Sequence, residues 1–291
     1  MRTQRKKIYQ SFIFWQILIG LLVLLGLVIF IIVELGKPVP DINKPSDGTY
    51  LDSSEEPSES TEATLPPPEA NPIGLTDFAM KGDYLQCLTT PSVLGIDVSE
   101  WQGYIDWNQV KKAGVEFAMI RVGWRGSEQG VLEYDEYMQT NYTGAANAGI
   151  KVGAYFFSQA ISVEEAVEEA NFLLKAIQNW EVEMPIVFDW EFVSPDSRTG
   201  RVSARTLTDC TKAFCDTVSK AGYTPMIYFN SDHSYHNIYL RELTDYRFWL
   251  AQYNTVLNYP YKIDMWQYTE TGAVPGISGD VDINLFFPWK E

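Results

Sequence analysis

Residues that commonly bind metals or form disulfide bonds are scarce in this sequence. The 291 residues include three cysteines and two histidines. An odd number of cysteines gives no disulfide framework, and Cys210 and Cys215 lie five residues apart in a helical pattern, a poor spacing for pairing. We expect small core or surface residues, with a bridge from Cys87 as the alternative. His233 and His236 lie in a polar stretch that we interpret as a solvated loop, without a metal-spaced cluster or a Gly-x-Ser-x-Gly elbow. The sequence therefore disfavours a peptidase and predicts neither a metal nor a cofactor.

Basic residues are also in the minority. The chain has 22 Lys and Arg residues against 38 Asp and Glu, which gives a formal net charge of -16 at pH 7. Proteins that bind nucleic acid need clustered Lys and Arg to neutralise the phosphates. We therefore exclude nucleic acid as a partner.

The N-terminal part contains one long apolar run, residues 12–33, in which Gln16 is the main polar interruption. That length suffices for a transmembrane helix. Basic residues within 1–11 precede the run and no comparable cluster follows it, so the positive-inside rule places the N-terminus in the cytoplasm and the remainder outside. A cleaved signal peptide is the alternative, but the run is long and residues 34–38 form a poor cleavage site.

The composition changes after the apolar run. From Lys37 to about Pro72, proline, serine and glutamate dominate, and few residues there could contribute to a core. Such a segment is expected to be a disordered, self-repelling acidic tether. We therefore divide the chain into a basic tail (1–11), a transmembrane helix (12–33), a linker (34–75) and a folded domain (76–291).

The folded domain alternates strand-like and helical stretches. Such alternation predicts a parallel sheet, and eight strands predict closure into a barrel. The helices fade after the fifth strand. We therefore predict an α/β fold, a modified TIM-type (β/α) barrel of the (β/α)5β3 kind. The predicted strands are 93–98, 117–122, 151–157, 184–190, 225–229, 247–253, 262–268 and 280–286, and the main helices are about 107–113, 134–148, 162–177 and 206–221.

Two carboxylates lie two residues apart in the apolar segment 186–192, at the end of the fourth predicted strand. Side chains at i and i+2 of a strand point to the same face, so Asp189 and Glu191 should lie together among apolar neighbours. Burying such a pair costs several kcal/mol per charge and raises one pKa, which leaves one proton donor and one anion near neutral pH. That is the electrostatic requirement for glycosidic bond cleavage. Two solvated acids at a strand end are the alternative interpretation.

The carboxyl ends of the strands are where barrel enzymes carry their catalytic groups. Aromatic rings stack on sugar rings, while Gln and Asp bond sugar hydroxyls. We expect Trp107, Trp180 and Trp249 to be core residues. The side chains expected at the mouth of the barrel are Asp97, Tyr155, Asp189, Glu191, Tyr228, Gln252, Tyr253, Trp266, Gln267 and Asp282.

Several separate motifs, in the right order, make the chain resemble the glycoside hydrolase family 25 lysozymes. The match runs from about Leu94 to Phe286. The motifs are Gly95–Ser99 with Trp101–Gly103, Ile120–Arg121, Phe188–Glu191, Met265–Tyr268 and Val281–Asn284.

The resemblance implies an N-acetylmuramidase that acts on the glycan strands of bacterial peptidoglycan. It implies Glu191 as the acid, functional roles for Asp189, Asp97 and Asp282, and a substrate contact for Arg121. Asp280 is the alternative to Asp282 for the functional Asp of the last strand motif, and we prefer Asp282. One departure is Phe156, where many members carry a His that could contact a sugar.

We thus expect an enzyme anchored in the cell membrane of a Gram-positive bacterium, with its catalytic domain outside; any partner in the cell-envelope machinery is unknown. The role of Asp189 stays open between orienting the 2-acetamido group of the sugar and a mechanism in which a carboxylate activates water. One alternative function is another hexosaminidase or chitinase-like barrel, although the longer acidic series usual before the Glu is missing. The other is a non-catalytic, tethered wall-binding protein, which could dispense with Glu191.

Overall fold

The computed structural model describes residues 65–288, which form eleven strands and five α-helices. The strands are β1 (Phe78–Lys81), β2 (Tyr84–Cys87), β3 (Val93–Val98), β4 (Phe117–Arg125), β5 (Leu132–Tyr134), β6 (Lys151–Ser158), β7 (Ile186–Trp190), β8 (Pro225–Asn230), β9 (Arg247–Ala251), β10 (Met265–Gly272) and β11 (Val281–Phe286). The helices are α1 (Trp107–Lys112), α2 (Met138–Asn147), α3 (Val163–Ala176), α4 (Ala204–Lys220) and α5 (Ser231–His236), with 3-10 turns at Glu100–Gln102 and Leu240–Leu243.

Eight of the strands close into a barrel. From β3 to β10 each barrel strand runs parallel to its neighbours, and β11 pairs with both β10 and β3 to complete the ring. The short strand β5 lies outside the ring as an antiparallel partner of β4. Five strand–helix units followed by three strands confirm the predicted barrel.

The last strand corrects the prediction of a parallel sheet. Strand β11 runs antiparallel to β10 and to β3. Residues 273–280 connect it to β10, and a parallel return would need a crossover of about a dozen residues or more. The start of β11 therefore lies at the same end of the barrel as the carboxyl ends of the other seven strands.

The two long helices both begin at side-chain caps. Ser162 accepts the backbone N–H of Glu165 at 3.3 Å, and Ser203 accepts that of Thr206 at 3.1 Å. The Glu165 carboxylate accepts the backbone N–H of Ile161 at 2.9 Å, one residue before the N-cap. Helix α4 packs on the barrel through Phe214, whose ring lies 5.0 Å from that of Phe188 on β7. Each such buried side chain stabilises the fold by about 1.5–3 kcal/mol.

The hairpin β1–β2 covers the side of the barrel that lacks helices, and it was not predicted. The ring of Phe78 packs edge-on against Trp266 of β10, with centroids 4.8 Å apart. The Tyr268 hydroxyl accepts the backbone N–H of Leu85 at 3.4 Å. The hairpin thus buries apolar side chains of β10 that point away from the barrel interior.

Residues 65–75, which we call the N-terminal strap, also pack on the barrel. Ile73 is 8% exposed and belongs to the main core. The Asn71 side-chain amide donates to the carbonyl of Tyr259 at 3.1 Å, and the Asn71 backbone N–H donates to Pro260 O at 2.9 Å. The packed domain therefore begins before residue 76, where the sequence had placed it.

The expected basic tail and transmembrane helix, residues 1–33, lie outside the described residues, as does most of the linker. Within residues 65–288, no helix is both long and apolar enough to cross a membrane.

The cysteines and histidines can be compared with expectation. All three cysteines are buried, free thiols. The solvated loop expected for the histidines is wrong, because Asn230 caps α5 by accepting the backbone N–H of His233 at 2.8 Å. His233 is buried, its ring lies 5.2 Å from that of Trp190, and burial lowers its pKa to about 4. His236 is exposed.

Candidate active site

A pocket of about 300 Å³ opens at the mouth of the barrel, where the seven parallel strands end and β11 begins. Its lining carries five carboxylates, and Arg121 is the one cationic lining residue among residues 65–288. The structure thus brings together all four acids that the sequence placed at the site. The five carboxylates are those of Asp97, Asp189, Glu191, Glu270 and Asp282.

Asp189 and Glu191 form a proton-sharing pair. Asp189 lies in β7 and is 5% exposed, whereas Glu191 follows the strand and is open to the mouth. Their carboxyl groups are within hydrogen-bonding reach of each other. Burial raises the pKa of Asp189 well above its usual range, and the charge of Glu191 raises it further. The pocket walls also raise the pKa of Glu191, because they displace water around it, and the charge of Asp97 adds to this. Such a pair holds one proton near neutral pH.

A second carboxyl pair joins the first and last barrel strands. Asp97 on β3 and Asp282 on β11 are hydrogen-bonded to each other. Burial raises the pKa of Asp282 to about 9, and the neighbouring charge of Asp97 contributes to the shift. Burial also raises the pKa of Asp97, although hydrogen bonds from Asn284 and Gln267 oppose it. This pair therefore also retains a proton at neutral pH.

A chain of hydrogen bonds fixes Asp97. Its Oδ2 accepts from the Gln267 side-chain amide at 2.9 Å and from that of Asn284 at 2.7 Å. The Gln267 carbonyl oxygen in turn accepts from the hydroxyls of Tyr228 at 2.8 Å and Tyr253 at 3.2 Å. Both donors of this chain point at one carboxylate oxygen, so the orientation of Asp97 and of the Gln267 amide is determined.

Arg121 is held by two carboxylates that flank it. Its Nε donates to Asp135 at 2.8 Å, and its Nη2 lies 3.1 Å from a Glu100 carboxylate oxygen. The guanidinium also lies over the Trp124 ring, 4.9 Å from its centroid. Because its charge is balanced by these partners, the pocket as a whole has a negative potential.

Aromatic side chains form the wall and rim of the pocket. Trp101 is 79% exposed and Tyr253 is 50% exposed, and both line the opening. Tyr155, Phe157 and Tyr228 lie along the wall. Burial raises the pKa of Tyr155 well above its usual value, so its hydroxyl stays neutral. Exposed flat rings at a polar opening are suited to stacking on sugar rings.

Two predicted site residues are not among those that line the pocket. Trp266 alternates with Gln267 along β10, so when Gln267 points inwards Trp266 points outwards, where it is fully buried against Phe78. Gln252 uses its side chain in the following loop, where it accepts the backbone N–H of Asn258 at 3.0 Å.

The position of Phe156 corrects the expectation that this residue costs a sugar contact. Tyr155 and Phe157 face the pocket, and Phe156 between them faces the outer core, where its ring lies 6.0 Å from that of Phe172. Phe156 is fully buried. The three tryptophans expected in the core, Trp107, Trp180 and Trp249, are buried, as predicted.

Sequence reasoning missed several lining residues. Glu270 lies on the extension of β10 beyond the predicted strand end, and Phe157 could have been found by parity with Tyr155. Trp249 closes the floor of the pocket and donates from its indole to Asn284 at 2.8 Å. Trp101 lies in a 3-10 turn that Ser99 caps by accepting the Trp101 backbone N–H at 3.3 Å, and its side chain is exposed.

The arrangement of paired acids in a barrel mouth agrees with a comparison of the sequence with known families. The model of glycosyl hydrolases family 25 matches residues 96–277. The chain belongs to this family. It is therefore a glycoside hydrolase, and the family match covers six of the eight barrel strands whole and the second half of β3, as well as the Asp189–Glu191 pair.

Individual relatives agree with the family assignment. Lysozyme M1 of Streptomyces globisporus is 31% identical over an alignment of 221 residues that covers 68% of this chain and 68% of that protein. A bacterial lysozyme structure from Streptomyces coelicolor is 30% identical with a TM-score of 0.54, covering 68% of this chain and 93% of that one. The autolysin LytC of Streptococcus pneumoniae shares the fold at 23% identity with a TM-score of 0.61. The match covers 74% of this chain and only 52% of LytC.

Proposed function

We propose that this domain cleaves the β-1,4 bond between N-acetylmuramic acid and N-acetylglucosamine in peptidoglycan, with Glu191 as the general acid. The observation that carries the proposal is the proton-sharing pair of Asp189 and Glu191 at the mouth of the barrel. Membership of the family, and the names of relatives such as Lysozyme M1, support the choice of substrate.

Glu191 is the more exposed member of the pair. It is open to the mouth, whereas Asp189 is 5% exposed. A raised pKa keeps a proton on the pair near neutral pH, so that Glu191 can protonate the leaving oxygen of the glycosidic bond. The positive charge that then develops on the sugar ring is stabilised by the negative potential of the pocket.

Asp189 is proposed to assist the cleavage by orienting the substrate. Its Oδ1 is buried and receives no hydrogen bond from a fixed donor among residues 65–288. An acceptor of this kind suits the N–H of the sugar's 2-acetamido group, whose carbonyl oxygen would then attack the anomeric carbon. We therefore propose substrate assistance and retention of the anomeric configuration rather than direct attack by an activated water.

Asp97 and Asp282 would tune the proton affinity of Glu191 and hold substrate hydroxyls. The charge of Asp97 contributes to the raised pKa of Glu191, and the hydrogen bonds from Gln267 and Asn284 hold Asp97 in place. Trp101 and Tyr253 provide rings at the opening on which neighbouring sugars can stack.

Digestion of purified peptidoglycan by the full-length protein in detergent tests the function. Mass spectrometry of the products should show reducing ends of N-acetylmuramic acid, and early NMR spectra should show the β-anomer. Reducing N-acetylglucosamine would instead identify another hexosaminidase, and the α-anomer would identify water activation by a carboxylate. Binding to the wall without any release of reducing ends would identify a wall-binding protein.

The proposal extends to the location of the enzyme, on sequence grounds alone. The apolar run 12–33, preceded by basic residues, supports a single-pass membrane protein with its N-terminus in the cytoplasm. The acidic, proline-rich segment that follows would act as a tether. The enzyme would then cut cell wall close to the membrane of the Gram-positive cell that makes it.

A further inference from the structure

We propose that Gln159 is a positioning residue for Glu191, which it holds through the Glu191 backbone. The inference rests on the proposed role of Glu191 as the acid. Gln159 follows directly after β6 and is fully buried. Its side-chain amide donates to the carbonyl oxygen of Glu191 at 2.7 Å and to that of Ser158 at 2.9 Å.

The sheet itself does not fix Glu191. The pairing of β7 with β6 ends at Trp190 opposite Ser158, and its pairing with β8 ends at Asp189 opposite Tyr228. Glu191 is thus the first residue beyond both ladders, and its backbone carbonyl needs another partner to be fixed. The Gln159 side-chain amide donates to this carbonyl, which lies beyond the last backbone hydrogen bonds of the sheet.

Thr199 orients the Gln159 side chain. Its Oε1 accepts from the Thr199 hydroxyl at 2.9 Å, and this assigns the remaining side-chain nitrogen as the donor towards Glu191. Thr199 is 2% exposed, so neither group competes with bulk water. A Glu at position 159 would lack the two N–H groups that the carbonyls of Ser158 and Glu191 accept.

The loop that carries Thr199 is anchored by an ion pair. Arg198 donates to the Gln159 backbone carbonyl at 2.7 Å, and its guanidinium pairs with Glu165 of α3 through two bonds of 2.9 and 2.5 Å. The nearby ionic pair of Arg125 and Glu169 lies behind Ser158. The segment from Glu191 to Thr199 is therefore tied at its start and its end to the same glutamine.

The position of a general acid decides how well it transfers its proton, since displacement by about 1 Å can cost on the order of a hundredfold in rate. A looser Glu191 backbone should therefore lower kcat more than it changes KM. It should also shift the pH dependence, because the burial of Glu191, the charge of Asp97 and the hydrogen bond with Asp189 all contribute to the pKa of Glu191 and change when its backbone moves. A purely structural role would lower stability and leave both properties unchanged.

The test compares Gln159→Leu, Gln159→Glu and Thr199→Val in the full-length protein. Val110→Ala, a buried residue of α1 outside the pocket, is the control for lowered stability. The measurements are kcat, KM and the pH profile on peptidoglycan fragments, and hydrogen exchange of residues 191–199.

We expect Gln159→Leu and Gln159→Glu to lower kcat about 10–100-fold with KM changed less than about threefold. Thr199→Val should have a smaller effect in the same direction. Exchange in the loop should rise in the glutamine variants but not in Val110→Ala.

The outcomes separate this inference from the proposed function. Unchanged kcat, pH profile and loop exchange in Gln159→Leu, with only a lower melting temperature, would overturn the positioning role. If the unmodified protein releases no reducing ends, the proposed function fails. Loop exchange then still decides whether Gln159 holds the Glu191 backbone.

Discussion

Asp282 stands directly opposite Asp97 in the antiparallel pairing of β11 with β3. Opposed residues of such a pair have Cβ atoms about 4.5–5.5 Å apart, so the two carboxyl groups meet. The direction of β11 is what makes this possible. If β11 were parallel to β3, Asp282 at its start would lie at the opposite end of the barrel from the other acids.

The first prediction concerns the pH dependence of stability in Asp282→Asn. The folded-state pKa of Asp282 is raised to about 9, so folding becomes less favourable as pH rises from the unfolded value near 4 towards 9. The amide does not titrate and can still donate to Asp97. The melting temperature of the variant relative to wild type should therefore increase across this range. Each pKa unit corresponds to about 1.4 kcal/mol, enough to move the melting temperature by about 3–5 °C.

Thermal unfolding at several pH values between 5 and 9 measures this difference. Asp280→Asn is the matched control, because Asp280 is exposed and is not a pocket residue. A difference for Asp282→Asn that stays constant with pH would contradict the shared proton.

Glu191→Gln should abolish hydrolysis and leave the fold and the binding of wall fragments nearly unchanged. The substitution keeps the shape of the side chain and removes the transferable proton, and general acid catalysis contributes about 10²–10⁴-fold. Release of reducing ends is the measurement, with Glu181→Gln as an exposed control. Turnover near that of wild type would remove Glu191 from the role of acid.

Asp189→Asn should also lose most of the activity, and the loss should be smaller at low pH. The proposed mechanism needs Asp189 as the anion of the pair, and at low pH the wild-type group is protonated and as uncharged as the amide, so the two proteins become more alike. Activity of the variant and of wild type should be compared from about pH 4 to 8. Equal activity at every pH would make Asp189 a structural residue.

The sequence was most informative where the alternation of side chains along a strand decides which of them face the pocket. Asp189 and Glu191 are two residues apart at the end of an apolar strand, so their shared face followed from the pleat alone. The same rule explains the error at Trp266, because consecutive residues such as Trp266 and Gln267 cannot both face the pocket. Phe156 is a second case, since Tyr155 already occupied the inward position.

Other features depended on long-range contacts that the local pattern does not contain. The strands β1 and β2 have four residues each, and their contacts with Trp266 and Tyr268 of β10 fix them in the fold. His233 is buried with its ring against Trp190, a long-range contact that the polar local sequence does not show. Glu270 became a pocket residue because β10 continues past its predicted end.

Removal of the N-terminal strap should destabilise the domain. A chain that starts at Thr76 loses the buried Ile73 and the hydrogen bonds of Asn71, which together contribute a few kcal/mol, at about 1.5–3 for the side chain and about 1 per bond. Compared with a chain that starts at Leu65, its melting temperature should be lower by about 5–15 °C. Ile73→Ala in the full chain should reproduce part of the loss, whereas Leu75→Ala, at a 57% exposed position, should not. Equal melting temperatures for the two truncated chains would show that the strap adds nothing to stability.

The last prediction concerns the topology proposed from the sequence. An apolar run of 22 residues over 12–33, with Arg2, Arg5, Lys6 and Lys7 before it, should keep the protein in the membrane with its C-terminal domain outside. At about 3.1 Å per residue, the following tether of roughly 35–40 residues reaches on the order of 100 Å at most, and less on average. Protease added to intact, wall-stripped cells should therefore remove the domain and leave a short membrane fragment.

A variant with the four basic residues changed to Gln is the control, because it should weaken the orientation without shortening the apolar run. Recovery of the domain from the culture medium, cut near Gly36, would identify a cleaved signal peptide and overturn the anchor. Retention at the membrane would confine the activity to nearby wall, which suits an enzyme that acts on the wall of its own cell.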